Sequence, residues 1–358
     1  MHVEHYYTSI NRMLEIFEQE ARKQALKASN KIEYELWKKE TRDVLLRITG
    51  IELMEHCQLE PSLIKSERFE GFIREKWIIW TEPGVQMPFY VLIPNGLQAE
   101  EKRPVMITPH GHASGGKLAT AVHWEIPAVR HAVERDNYTY AFELVKRGFI
   151  VFCPDARGFG ERRELVGQGD EDINYMNSTC RQINHMAICL GRSLTGLWVW
   201  DLMRLVDYVQ TRADCNPNKI GCAGLSGGGL QTLWLAALDE RIVCAVVSGY
   251  FYGYRDSLLI QNDHCACNYV PGLWQQVDMG DIGALIAPRP LLVETGNVDP
   301  LNGYRGTVNA SEQVEITRKA YRLLGCENSL IHHIFEGGHR WCGEKAFEFL
   351  EKHLKESI

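Results

Sequence analysis

A serine in the middle of a glycine-rich turn is the residue of this chain most suited to covalent chemistry. Ser226 lies in a Gly-Leu-Ser-Gly-Gly sequence, which follows an apolar run and precedes a helical pattern. Glycines two residues on either side of a serine are typical of a nucleophile elbow, a sharp strand-to-helix turn in which larger side chains would collide with neighbouring elements. We therefore predict that Ser226 is a nucleophile for acyl transfer.

A serine hydroxyl becomes reactive when a histidine takes its proton and a carboxylate orients that histidine. Asp299 follows a predicted strand from Pro290 to Glu294, and we predict it as this carboxylate. Glu294, Asp278 and Asp281 are alternatives. A turn-forming role before a proline is the structural alternative for Asp299.

The histidine is expected after the carboxylate in the chain. His339 follows two glycines just past a predicted strand from Leu330 to Phe335. His332 and His333 are alternatives, but they fall inside that strand and should point to opposite faces of the sheet. We predict His339 as the general base.

The oxyanion of a tetrahedral intermediate requires backbone N–H donors. One donor is expected from the residue after the nucleophile, Gly227, and one from the loop after the third predicted strand. In that loop we predict His112, with Gly111 and Ala113 as alternatives.

Two histidine- and cysteine-containing stretches have partial zinc-ligand spacing, one from His110 to His123 and one from His264 to Cys267. Neither has a second spaced ligand pair, and serine chemistry needs no metal, so we predict no metal and no cofactor. The Asp-Ala-Arg-Gly turn at 155–158 could be a carboxylate site. A structural turn with an ion pair is the favoured interpretation.

Aromatic residues are concentrated just after predicted strand ends, and sugar rings stack on such side chains. They are Trp124, Tyr250, Tyr252, Tyr254, Trp274 and Trp341. We predict Trp124, Tyr254, Trp274 and Trp341 as substrate contacts; a hydrophobic wall or core is the alternative for each.

These residues need an α/β scaffold to bring them together. Eight short apolar runs, the first two arranged as a hairpin and most of the others separated by helical patterns, predict a mostly parallel eight-stranded sheet flanked by helices. With 358 residues, of which 45% are hydrophobic, the chain can bury a large core. A net charge of −7 without a basic block argues against nucleic acid or an anionic membrane as partner and favours a small, mostly neutral substrate.

The helical pattern near the N-terminus predicts a helical extension over residues 1–69 and a catalytic domain over 70–358. Two stretches of that domain, at about 158–196 and 249–282, are too long for ordinary loops, and we predict them as insertions that form lids or binding walls. The first residues lack the pattern of a secretory signal, and eleven scattered cysteines suit a reducing compartment, so we expect a cytoplasmic protein. Self-association is an expectation for soluble enzymes of this size.

The serine motif, Asp299, His339 and the His-Gly pair at 110–111 together resemble the α/β-hydrolase superfamily over about residues 70–355. The 155–160 turn, the helical extension and the Gly-Gly-His-Arg-Trp ending resemble its acetyl xylan esterase and dienelactone hydrolase-like branch. The chain departs from dienelactone hydrolases in having serine, not cysteine, at the elbow. It departs from cephalosporin C deacetylases in the motifs around Arg157, Ser226 and His339.

The resemblance implies a serine carboxylester hydrolase that removes short acyl groups, such as acetyl, from a carbohydrate or another small ester. A prolyl oligopeptidase-like peptidase uses the same triad, but it normally carries an additional propeller domain, for which this chain is too short. A ligand-binding protein of this fold with a vestigial triad is the non-catalytic alternative.

Overall fold

A nine-stranded sheet forms the centre of the protein, whose residues 5–169 and 171–356 are described by a computed structural model. Its strands are β1 (Ser62–Arg68), β2 (Phe72–Glu82), β3 (Val85–Pro94), β4 (Arg103–Ile107), β5 (Ile150–Pro154), β6 (Cys215–Leu225), β7 (Ile242–Ser248), β8 (Leu291–Gly296) and β9 (Leu330–Phe335).

The strands are ordered β1-β2-β3-β5-β4-β6-β7-β8-β9. In this order, the first three pairs of neighbours (β1-β2, β2-β3 and β3-β5) are antiparallel. The other five pairs (β5-β4, β4-β6, β6-β7, β7-β8 and β8-β9) are parallel. The predicted α/β class and mostly parallel sheet are confirmed, but the predicted number of strands is too small by one. The missed strand is β1, an edge strand with a nearly fully exposed burial pattern, which pairs with β2 through backbone hydrogen bonds.

Both faces of the sheet are covered, because the residues of β5 and β8 are buried throughout. Alternating side chains serve two hydrophobic cores: Val105 and Ile107 of β4 belong to one, and Met106 belongs to the other. Because the strands from β5 to β9 run parallel, their carboxyl ends meet at one edge of the sheet, where loops can assemble a site.

The helices that flank the sheet are α1 (Ile10–Glu20), α2 (Lys31–Thr49), α3 (Lys117–Thr120), α4 (Pro127–Asp136), α5 (Tyr140–Lys146), α6 (Asp172–Met176), α7 (Cys180–Cys189), α8 (Leu194–Thr211), α9 (Gly227–Leu238), α10 (Leu273–Gln276), α11 (Met279–Ala284), α12 (Thr307–Leu323) and α13 (Ala346–Leu354). Single 3₁₀ turns occur at Ile51–Leu53, Gly160–Arg162, Leu165–Gly167, Ala266–Asn268, Pro300–Asn302 and Glu327–Ser329, and a π-helical turn at Arg255–Gln261.

The N-terminal arm, residues 5–49, carries α1 and α2. The side chain of Asn30 accepts a hydrogen bond from the backbone of Glu33 at 3.0 Å and so caps α2. The backbone N–H groups of residues 22–24 donate to the carbonyls of residues 274–276. Arg22 forms two hydrogen bonds to Asp281, at 2.8 and 2.9 Å. The arm is thus fastened to the segment between β7 and β8.

The two long segments after strand ends contain local structure rather than open loop. The first, at 158–196, contains α6 and α7, and the second, at 249–282, contains the π-helical turn, α10 and most of α11. Among the described residues, no helix combines the length and apolar character needed to cross a membrane.

Candidate active site

The turn between β6 and α9 holds Ser226 in a strained backbone conformation, with φ 60° and ψ −119°. The turn is tight: a Cβ on Gly224 would lie 2.5 Å from the backbone of Gly228, and one on Gly228 would lie 2.2 Å from the carbonyl oxygen of Pro109. A side chain at either position would therefore force the backbone to move. This is the geometry of a nucleophile elbow.

Ser226 lies at the wall of a cavity of about 480 Å³. Its backbone N–H donates to the carbonyl of Ser248 at 2.9 Å, which ties the turn to the end of β7. Gly227, His112 and His339 line the same cavity. The structure therefore brings the predicted nucleophile, base and oxyanion-loop residues to one space.

A carboxylate and an imidazole are in direct contact at the cavity edge. Asp299 Oδ2 lies 2.7 Å from His339 Nδ1. The other carboxylate oxygen accepts a hydrogen bond from the backbone of Leu301 at 2.9 Å, so the aspartate is held from both sides. Asp299 is buried, whereas the His339 side chain is 24% exposed. With Nδ1 occupied by the carboxylate, Nε2 is the ring nitrogen left for a reacting group.

No hydrogen bond joins Ser226 to His339 in the described part of the chain, although both residues line the cavity. Catalytic hydrogen bonds are often long in ligand-free enzymes and shorten when substrate binds. The third contact of the predicted triad thus stays a prediction.

The rival carboxylates have other partners. The buried Glu294 accepts a hydrogen bond from the backbone of Gly343 at 2.9 Å, and burial raises the pKa of its carboxyl. Asp278 and Asp281 form the capping box of α11, and Asp281 also pairs with Arg22. Burial raises the pKa of Asp278 to about 6. These three carboxylates serve the scaffold.

The rival histidines on β9 also have partners away from the cavity. His332 Nε2 lies 3.0 Å from the hydroxyl of Thr295, and His333 Nε2 lies 3.5 Å from a carboxylate oxygen of Glu344. Burial lowers the pKa of His332 to about 4, so this ring is neutral near pH 7. Neither residue contacts Asp299 as His339 does.

The loop after β4 lies directly on the elbow. Gln231, one turn into α9, donates its side-chain amide to the carbonyl oxygens of His110 and Gly227, at 3.2 and 3.1 Å. His110 is fully buried, and burial lowers its pKa to about 4. Its Nε2 accepts a hydrogen bond from the backbone of Ala156 at 3.2 Å, which leaves Nδ1–H to donate to the Gly111 carbonyl. A neutral histidine with a hydrogen bond at each ring nitrogen thus fixes the loop.

The two residues predicted to supply oxyanion donors face each other. A Cβ on Gly227 would lie 2.8 Å from the ring of His112, so only a glycine leaves room for that ring. Gly227 begins α9, and the first N–H groups of a helix have no partner within the helix. Ala113, an alternative donor, also lines the cavity.

Further residues of the cavity wall were not predicted as site residues. They come from α4 and the loop after it, from α9, from the segment between β7 and β8, and from the turn after Asp299: Arg135, Asp136, Tyr138, Leu230, Tyr250, Tyr252, Asp263, His264, Cys265, Asn268 and Leu301. Two sequence signals point to part of this group: the length of the segment after β7, and the aromatic residues Tyr250 and Tyr252 just after that strand. Arg135 and Asp136 are adjacent in sequence and form an ion pair at 2.6 Å.

The four aromatic residues predicted as substrate contacts lie away from this cavity, and this prediction needs correction. Trp341 is fully buried against Tyr140, and Tyr254 is buried with its ring 6.4 Å from that of Trp274. Trp274 itself faces the N-terminal arm. Trp124 packs against Phe142. Their side chains fill the core and the contacts between segments, because position after a strand end does not determine which way a ring points.

The turn at 155–158 is occupied by ion pairs. The buried carboxylate of Asp155 pairs with Lys117, and Arg157 pairs with Asp201 at 2.8 Å. Arg162 contacts the other oxygen of Asp201 at 2.7 Å. These contacts join the turn to α3 and α8, as expected for a structural element.

Comparison with known proteins agrees with this architecture. A model of the Abhydrolase family matches residues 4–337. The Bacillus subtilis (strain 168) protein named "Putative hydrolase YtaP" is 28% identical over 269 residues, which cover 75% of this chain and 83% of that protein.

Two solved structures share the fold at low sequence identity. A "putative acetyl xylan esterase" from Bacteroides fragilis NCTC 9343 superposes with a TM-score of 0.72 at 20% identity, covering 92% of this chain and 83% of that chain. A glucuronoyl esterase from Solibacter usitatus gives a TM-score of 0.65 at 14% identity, covering 93% and 97%.

Proposed function

The chain belongs to the Abhydrolase family, and on that premise we propose that it is a serine carboxylester hydrolase with Ser226, His339 and Asp299 as its catalytic triad. The observation that carries the proposal is the 2.7 Å contact between Asp299 and His339 at the edge of the cavity that holds the strained Ser226. A structural turn explains Asp299 alone, but it does not explain why a histidine from a second loop meets it beside an elbow serine.

In the proposed reaction, Ser226 Oγ attacks the ester carbonyl carbon while His339 Nε2 takes the hydroxyl proton. Asp299 holds His339 in the tautomer that accepts this proton and stabilises the resulting imidazolium. The N–H groups of Gly227 and His112 donate to the oxyanion. The intermediate collapses, the alcohol leaves with the proton from His339, and an acyl group stays on Ser226. A water activated by His339 then releases the carboxylic acid and restores the serine.

The proposed substrate is a small ester with a short acyl group, such as an acetylated carbohydrate. A cavity of about 480 Å³ falls in the lower part of the usual range for small-molecule sites. Its wall offers Asp263 for hydroxyl groups and the rings of Tyr250 and Tyr252 for apolar faces. The names of the two structural neighbours, one an acetyl xylan esterase and one a glucuronoyl esterase, point to carbohydrate esters as the class to test first.

We also propose that the central sheet and its flanking helices form a catalytic domain, which the helices before residue 62 support. The predicted boundary between residues 69 and 70 is too late, because β1 (Ser62–Arg68) pairs with β2 in the central sheet. The contacts of the N-terminal arm with residues 274–276 and with Asp281 favour a supporting role, because they lie on the segment that contributes part of the cavity wall. The proposed reaction uses protein groups and water alone.

Hydrolysis of p-nitrophenyl acetate tests the proposal. The wild type should turn over, Ser226→Ala should lose turnover while keeping its circular dichroism spectrum, and Ser311→Ala, on α12, should match the wild type. Equal activity in Ser226→Ala would overturn the assignment of the nucleophile. A wild type that hydrolyses acetylated xylo-oligosaccharides supports the substrate class. Cleavage of prolyl peptides instead would favour a peptidase, and a folded wild type inert to every ester would favour a binding protein.

A further inference from the structure

Four potential metal ligands lie together beside the candidate active site. We call the side chains of His112, Cys180, Cys265 and Cys267 the His–Cys cluster. Ligand atoms of His112, Cys180 and Cys265 all lie within 4.8 Å of one another. The sulfur of Cys267 lies 3.5 Å from Nε2 of His112. One imidazole and two thiols thus lie within ligand distance of one another, and a third thiol lies beside the imidazole.

The cluster is assembled from three separate parts of the fold. His112 comes from the loop after β4, Cys180 is the first residue of α7, and Cys265 and Cys267 flank Ala266 at the 3₁₀ turn between β7 and β8. A tetrahedral ion with bonds of about 2.3 Å to sulfur and about 2.0 Å to nitrogen needs ligand atoms roughly 3.5 Å apart. The ligand atoms of His112, Cys180 and Cys265, which lie within 4.8 Å of one another, would therefore move closer together around an ion, and Cys267 would approach them as the fourth ligand.

The surroundings hold these side chains in place. Cys180 and Cys267 are each 1% exposed. The ring of His112 packs edge-on against Phe159, with centroids 5.3 Å apart. The carbonyl of Cys267 accepts a hydrogen bond from the Thr195 hydroxyl, and the side-chain amide of Asn268 lies 3.6 Å from the Cys267 sulfur. Amide donors to a ligating sulfur are typical of the outer shell of metal centres.

Disulfide bonding does not account for the grouping, since all eleven cysteines are free thiols in this structure. A buried cysteine can pack as a small apolar side chain, but such packing does not require three thiols to gather around one imidazole. One histidine with three cysteines is also a common ligand set for zinc.

We propose that the His–Cys cluster binds one soft divalent metal ion, of which zinc is the best match, through His112, Cys180, Cys265 and Cys267. Binding replaces the proton of each coordinating thiol, so uptake releases protons to solvent. The sequence prediction of no metal missed this site because Cys265 and Cys267 are completed by residues far away in the chain. The existence of the site does not depend on the proposed esterase function.

The site would also stabilise the loop that carries a proposed oxyanion donor. The ring of His112 faces the cluster, while its backbone belongs to the loop that lies on the elbow. An ion on the ring would fix the loop without taking part in the reaction. This consequence rests on the proposed function, whereas metal binding itself is measured without substrate.

The test uses the full chain, reduced and freed of metal with a chelator. Titration with Co²⁺ should produce thiolate-to-cobalt charge-transfer absorption that saturates at about one ion per chain, and Zn²⁺ should abolish it. Proton release, followed with a pH indicator, should accompany the titration. A folded, reduced wild type that gives no such absorption overturns the proposal, whatever its esterase activity.

Variants locate the ion. Cys180→Ser and Cys265→Ser should each weaken Zn²⁺ binding by more than about 100-fold, since changes in the outer shell alone cost about 10- to 100-fold. Cys189→Ser, at the exposed far end of the same helix as Cys180, is the matched control and should bind like the wild type. Wild-type affinity in both cluster variants would overturn the assignment. A disulfide between Cys180 and Cys265 in the protein as isolated would identify a redox pair instead and would also overturn it.

Discussion

Gln231 donates its side-chain amide to the carbonyl oxygen of His110, at 3.2 Å, and so connects α9, the helix that follows Ser226, to the loop after β4. The same amide donates to the carbonyl of Gly227. One buried side chain therefore sets the distance between the two backbone segments that we propose as the oxyanion hole.

Replacement of Gln231 by leucine should lower kcat with little change in KM. The loop would lose its attachment to α9, and a small misplacement of an oxyanion donor costs about 10- to 100-fold in rate. Steady-state kinetics with p-nitrophenyl acetate measure the effect. Gln210→Leu, on the surface of α8, is the control and should change neither constant. A wild-type kcat in folded Gln231→Leu would show that the connection does not position the donors.

Asp299→Asn and Glu294→Gln separate the two candidate acids. Asp299→Asn should lower kcat by about 10⁴-fold, because an amide cannot hold the histidine in the reactive tautomer. Glu294→Gln should leave kcat within a few-fold of wild type and lower the free energy of unfolding by about 1–3 kcal/mol, since its carboxylate accepts buried backbone N–H groups. The reverse pattern would assign the role of the carboxylate that orients His339 to Glu294 instead of Asp299.

The buried carboxyl of Asp278 should make folding less favourable as the pH rises. Burial raises its pKa to about 6 in the folded protein from 3.8 in the unfolded chain. The folded state therefore holds a proton that the unfolded chain has lost between these values, and the free energy of unfolding falls as pH rises from about 4 to about 6.

Urea unfolding of the wild type and Asp278→Asn at several pH values checks this. An amide does not titrate, so the variant should lack this part of the pH dependence. The stability of the wild type relative to the variant should drop by about 2–3 kcal/mol over that interval. Parallel pH curves for the two proteins would contradict the expected shift.

Arg22→Ala should destabilise the protein by about 2–3 kcal/mol, because it leaves the buried carboxylate of Asp281 without its cation. Arg12→Ala is the matched control: the ion pair of Arg12 with Glu15 is exposed on both sides and should contribute less than about 0.5 kcal/mol. Thermal or urea unfolding distinguishes them. Equal effects of the two substitutions would mean that the arm is not held by its buried contact.

The placement of the proposed catalytic residues could be predicted because its signal is local. Ser226, Asp299 and His339 each follow an apolar run and stand next to glycines or a proline, so the strand ends that carry them are visible in the sequence. The structure places all three at the same edge of the sheet. The parallel strands could be predicted for the same reason, since burial on both faces requires continuous apolar runs.

Side-chain direction and long-range pairing could not be predicted. The residues of β1 are mostly charged or polar, and their role is decided by backbone pairing with β2. Trp341 follows His339 by two residues, yet its ring packs into the core beside Tyr140. The His–Cys cluster joins residues from three distant segments, and the spacing of any one segment does not reveal the other two.

The attachment of the N-terminal arm affects how the protein is made. Arg22 pairs with a residue 259 positions later in the chain, and residues 22–24 donate hydrogen bonds to the backbone carbonyls of 274–276 in α10. On a ribosome the arm leaves the exit tunnel well before the surface that it binds, which is synthesised after β1 to β7. The arm therefore stays undocked until its partners, residues 274–276 and Asp281, have been synthesised. Docking becomes possible once residues 274–281 have been made, before β8 and β9 are synthesised, and a tag or fusion beside the arm would act on this step.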